Sequence, residues 1–125
     1  MSQDLISDAL NQIMNMKKAG KNKVQINRTS KVLIKVLELM KNKEVIDFKI
    51  DSKERKITID IKNLDLCMAI KPRFNVKIVE IDKYMRRFLP ARGVGTIIIS
   101  TNKGMLTHED AIKQNLGGSL IAYFY

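Results

Sequence analysis

The chain has 125 residues, 45% hydrophobic and 29% charged, enough for one ordinary domain or two very small ones and unlike a disordered or low-complexity protein. Its apolar runs are only a few residues long, against the roughly 20 that a membrane span needs, and the N-terminus lacks the basic-then-apolar order of a signal peptide, so a cytosolic protein is expected. A formal net charge of +10 points to a polyanionic partner, and a single cysteine, Cys67, excludes an internal disulfide.

Leu5, Ala9, Leu10, Ile13 and Met14 recur at helical spacing and predict a first helix from about Asp4 to Lys18. Asp4 suits its positive end, Lys17 and Lys18 its negative end, and Gly20 stops it. Val24 and Ile26 alternate with polar neighbours as a short strand. A second helix starts at Thr29 or Ser30 and is expected to bury Val32, Leu33, Val36, Leu37 and Met40, leaving Arg28, Lys31 and Lys35 available to solvent or a ligand. Val45, Phe48 and Ile50 lead into a polar turn, Asp51 to Arg55, and Ile57, Ile59 and Ile61 return as the second arm of a hairpin. This order of helix, strand, helix, strand, strand predicts an N-terminal α/β domain over residues 1–63 of an α+β protein.

The second half, residues 64–125, reads as a mostly β domain with short helices. Leu64, Leu66, Met68 and Ile70 alternate as a strand closed by Lys71-Pro72, and Val76 and Ile78 form another. A short helix is expected from Asp82, as cap, to Leu89, with Pro90 as the stop. Thr96 to Thr101 is a β-branched strand, and Leu106 a brief return. Thr107 and Asp110 fit a capping box opening a helix of about two turns that Gly117 and Gly118 end, and Ser119 to Tyr125 closes the chain as an apolar and aromatic strand.

Catalysis finds little support in this pattern. Gly93-Val94-Gly95 is a lone G-x-G, and no phosphate-loop motif is present. Ser100 has no elbow glycines, and the only histidine, His108, is expected on the surface near a helix start. Glu109 and Asp110 are explained by the helix dipole, and Asn27-Arg28-Thr29 is a coincidental glycosylation match. Cys67 has no companion at metal-ligand spacing and reads as a buried thiol. Neither an enzyme nor a metal or other cofactor is expected.

Binding chemistry is better represented. Lys17, Lys18, Lys21, Lys23, Arg28, Lys31 and Lys35 lie between Ala9 and Leu37 with no acid among them, and Lys83, Arg86, Arg87, Arg92 and Lys103 lie between Lys83 and His108, again with no acid. The two basic zones suit an anionic surface, and solubility is the plainer explanation. After the Thr96 strand, Ser100, Thr101, Asn102, Lys103 and Gly104 present two hydroxyls, an amide, an ammonium and a glycine in succession. Such groups fit the shallow, hydroxyl-lined minor groove of an RNA helix, and they equally fit a hairpin turn that satisfies its own backbone.

The segments IIISTNKGMLTHEDA and LGGSLIAYF, with DLISDALNQIMN and TSKVLIKVLELMKNKEVI upstream, resemble the small-subunit ribosomal protein S-eight family over nearly the whole chain. KPRFNV and FLPARGVG are similar to its archaeal and eukaryotic branch. The resemblance implies a primary rRNA-binding protein of the ribosome in the cytoplasm. Such a protein organises the central domain of small-subunit ribosomal RNA beside neighbouring ribosomal proteins, and some members also bind their own mRNA. It implies an RNA-contact role for Ser100, Thr101, Asn102, Lys103 and Gly104, with Asn102 where bacterial members usually carry serine, and a phosphate contact for Lys31 beside Ser30. Gly117 and Gly118 match the family's paired glycines, which either let backbone approach RNA or cap the helix. Lys21, Arg28, Arg86, Arg87 and Arg92 complete the candidate RNA-binding set. A basic protein-interaction or assembly module with acidic protein partners is the alternative.

Overall fold

A computed structural model describes residues 5–27, 30–51, 53, 56–70, 75–91 and 94–125. The chain divides into two compact units, Met1–Cys67 and Met68–Tyr125. It mixes helix and sheet as an α+β protein.

The first unit carries α1 (Leu5–Lys18), β1 (Lys23–Ile26), α2 (Lys31–Asn42), β2 (Ile46–Asp51) and β3 (Lys56–Ile61). Its antiparallel sheet has the order β1-β3-β2, with Val24 opposite Ile59 and Phe48 opposite the same residue on the other side. Alternation along β3 buries Ile57, Ile59 and Ile61, while Leu10 and Ile13 of α1 and Leu33, Leu37 and Met40 of α2 fill the remaining core. Two apolar residues depart from the expected stripe. Val32 is exposed and Leu39 takes its place in the core, because the helix turns its buried arc toward the later position; Ile50 is exposed at the outer end of β2. Of the expected features, Asp4, Arg28, Thr29 and most of the Asp51 to Arg55 turn lie outside the described residues.

The second unit's sheet runs β4 (Cys67–Ala69), β8 (Gly118–Phe124), β6 (Thr96–Thr101), β7 (Gly104–Thr107), with β5 (Asn75–Val76) also on β8. Ile97, Ile99 and Leu120 from the sheet pack with Ile81, Leu89 and Ala111, and with Tyr84, Met85, Phe88 and Tyr123 at the margin. β8 carries one extra residue against β6 between the pairs Ile98 with Ala122 and Ile99 with Leu120, a bulge that lets three successive residues, Leu120 to Ala122, all be buried.

Four expectations in this half are corrected. The strand expected from Leu64 to Ile70 shrinks to β4, with Cys67 buried and Met68 exposed, since the segment is apolar on both phases and pairing with β8 chooses the face. Ile78 opens α3 (Ile78–Phe88) instead of extending a strand, and the cap is Lys77, whose N–H donates to the Glu80 carboxylate at 3.0 Å; Asp82 lies inside the helix. α4 (His108–Lys113) ends before the paired glycines, with Asn115 taking the left-handed conformation at φ 58°. His108 is buried, not superficial: its Nδ1 accepts the Ile97 N–H at 3.1 Å.

Candidate nucleic-acid interface

The Ser100 to Gly104 segment is the turn of the β6–β7 hairpin, in which Thr101 pairs with Gly104 and Ser100 with Met105. Asn102 and Lys103 are its two exposed turn residues and both keep negative φ, while Gly104 takes φ +105°. A side chain at Gly104 would meet nothing, so the glycine is required by the backbone path alone. Thr101 closes the turn: its hydroxyl donates to the Gly104 carbonyl at 2.8 Å and accepts the Lys103 N–H at 3.1 Å. This is the backbone-satisfying role weighed for the hairpin reading, and it fixes the direction in which Asn102 and Lys103 project. Ser100 is half-buried one residue before the turn, and among the described residues its hydroxyl makes no intramolecular hydrogen bond that would occupy it.

Gly117 and Gly118 are brought to the same end of the sheet. A Cβ on Gly118 would collide with the Ser100 carbonyl, and one on Gly117 would fall 2.7 Å from the Val76 carbonyl. The paired glycines therefore permit close backbone approach within this chain, and they do not cap α4. The register also adds two residues that no motif singled out. Asn75 pairs with Ser119, and Ser119 with Ser100, so three small polar residues stand side by side on one face; the Ser119 hydroxyl donates to Asn75 Oδ1 at 3.0 Å. Ser119 directly follows the glycine pair in sequence, but only strand order makes it a neighbour of Ser100.

The cations of the second unit differ in availability. Arg86 Nη2 is 2.9 Å from Asp82 Oδ2, so the basic zone that begins at Lys83 meets an acid one residue outside it. The Arg87 guanidinium lies 5.4 Å from the centre of the Phe88 ring. Arg92 lies outside the described residues.

In the first unit, Ser30 caps α2, its Oγ accepting the Leu33 N–H at 3.1 Å, and Lys31 is the first helical residue. No acid occupies that first turn. A lysine here adds to the positive end of the helix dipole instead of opposing it, leaving the α2 N-terminus strongly electropositive. Lys21, Lys31 and Lys35 are exposed. Lys17 is held by Asp65, 3.9 Å from its carboxylate and 3.4 Å from its carbonyl, so the acid-free stretch in sequence is not acid-free in space. Among the described residues no group of histidine, cysteine and carboxylate side chains is arranged to hold a metal ion.

A profile of the family described as Ribosomal protein S8 matches residues 4–125. The chain belongs to the ribosomal protein S8 family. That family is one of structural ribosomal proteins, not of enzymes. The chain is 38% identical to the small ribosomal subunit protein uS8 of Archaeoglobus fulgidus, with both chains covered completely. It is 36% identical to uS8A of Schizosaccharomyces pombe, covering 98% of each chain, and 38% identical to uS8A of Saccharomyces cerevisiae, covering 97% of this chain and 96% of the other. The match to the ribosomal S8 family spans the hairpin turn, the glycine pair and α2, and the relatives it is similar to include archaeal and eukaryotic proteins.

Proposed function

We propose that this protein is a constituent of the small ribosomal subunit that binds the central domain of its ribosomal RNA and supports assembly. The observation that carries the reading is the Thr101 lock on the hairpin turn. It holds Asn102 and Lys103 outward on a strand end whose other polar groups, half-buried Ser100 and Ser119 and exposed Asn75, are small and hydrogen-bonding. Rigid donors and acceptors of this size reach sugar hydroxyls and base edges together in a shallow minor groove. Lys103, with Lys21 and Lys31 on the first unit and Arg87 on the second, supplies phosphate contacts that fix orientation. Because Gly117 and Gly118 are packed by the chain's own backbone, their part is to build the surface that Ser100 and Ser119 share.

The test is binding to a central-domain rRNA fragment and to a fully base-paired control of equal length at two salt concentrations. Selective binding is expected, with affinity falling on the order of 10³ to 10⁵ between low and moderate salt if about 6 to 10 phosphates are neutralised. Equal binding to both RNAs, or a flat salt response, overturns it.

A further inference from the structure

α3 has an outer face that RNA recognition does not explain. Helical spacing puts Val79, Asp82, Lys83 and Arg86 on one side of it, opposite Ile81 and Phe88, which face the core. Val79 is 84% exposed at the N-terminal end of that charged face. About 10 Å farther along the helix, a pocket of about 260 Å³ opens between Met85, Leu89, Pro90 and Ala91, with Asp82 and Arg86 also in its lining. The flank is basic: Lys83 lies 5.8 Å from the centre of the Tyr84 ring and Arg87 5.4 Å from that of Phe88, so aromatic side chains steady both cations.

We propose that this face docks an acidic, apolar-tipped segment of a neighbouring protein, one apolar side chain covering Val79 or entering the pocket and a carboxylate meeting Arg86. The proposal rests on the ribosomal reading above, which supplies the neighbours. Charge complementarity selects the occupant. Lys83 and Arg86 share the face that exposes Val79, Arg86 also lines the pocket, and Arg86 uses only part of its five-donor fork on Asp82, leaving N–H groups for a second carboxylate. Methionine and arginine, both in the lining of this pocket, are enriched at protein interfaces. A nucleic acid fits this face less well, because the Met85, Leu89, Pro90 and Ala91 side chains that wall the pocket have no group to hydrogen-bond a base edge.

The experiment uses small subunits assembled with the full chain carrying a benzophenone side chain in place of Val79, irradiated and digested for mass spectrometry. A cross-link to another subunit protein, at an apolar residue with an acid within a few positions, is expected. Its yield per incorporated chain should drop on the order of tenfold when Lys83→Glu and Arg86→Glu are combined. Cross-linking to ribosomal RNA, no cross-link from incorporated chain, or a yield unchanged by charge reversal overturns the docking proposal while leaving the ribosomal reading intact. Failure of the Val79-substituted chain and of the unmodified chain alike to enter the subunit overturns both.

Discussion

The Thr101 hydroxyl and the Gly104 carbonyl, 2.8 Å apart, close the turn that the strand β6 hands to β7. The same oxygen accepts the Lys103 N–H, so one side chain satisfies two backbone groups across four residues. Its methyl group is not part of this function. Thr101→Ser therefore keeps affinity for the central-domain RNA within about twofold, whereas Thr101→Ala, which loses hydrogen bonds worth about 0.5–1.5 kcal/mol each, weakens it by roughly tenfold. Filter binding checks both, and the base-paired control should move little in either variant.

Gly118 makes a contrasting prediction with Gly20. Adding a methyl group at Gly118 drives it into the Ser100 carbonyl, which is backbone held in the β6–β8 ladder and has nowhere to go. Gly118→Ala should cost about 3 kcal/mol, the upper range for overpacking. At Gly20 nothing lies within 4 Å and only the φ of +78° opposes a side chain, so Gly20→Ala should cost about 1–2 kcal/mol. Urea unfolding followed by circular dichroism ranks the two.

His108 acts as an acceptor in the interior. Replacing it with leucine leaves the buried Ile97 N–H without that partner, an expected loss of about 1–3 kcal/mol, while His108→Asn restores an acceptor near the Nδ1 position and recovers part of it. Chemical denaturation of the three proteins at one pH distinguishes a hydrogen-bonding role from simple space filling, for which leucine would be the better substitute.

Cys67 gives a pH prediction. Burial pushes its thiol from 9.0 up to about 12, with Lys17 opposing the rise only weakly, and Sγ lies 3.6 Å from the Leu10 carbonyl, to which it donates. The folded chain therefore holds the thiol proton over a range in which the unfolded chain releases it. The stability this contributes is complete below pH 9 and is lost as pH rises from 9 toward 12. At pH 8 the folded protein should react with iodoacetamide about a thousandfold more slowly than the denatured protein from thiolate fraction alone, a difference that mass spectrometry of the alkylated chain reads directly.

Strong one-period patterns were legible in the sequence. The helical stripe of Ala9, Leu10 and Ile13, the alternation of Ile57, Ile59 and Ile61, the strand Thr96 to Thr101 and the caps Ser30 and Thr107 depend on local periodicity or on hydrogen bonds three residues apart. Where both phases of a segment are apolar, local chemistry does not choose. Cys67 is buried as expected but Met68, expected on the inward phase of the strand, is exposed once β8 sets the register, and Ile78 and Val79, β-branched and adjacent to a strand, begin a helix because Glu80 is in place to accept the Lys77 N–H. The residues Ser100, Thr101, Asn102, Lys103 and Gly104 were visible as a polar run from their order alone. That Thr101 turns inward to lock the hairpin, that Ser119 and Asn75 stand beside Ser100, and that the glycine pair serves backbone contact depend on groups up to 44 residues apart. Composition and periodicity are properties of neighbours in the chain; strand order and close backbone approach exist only after the chain has folded.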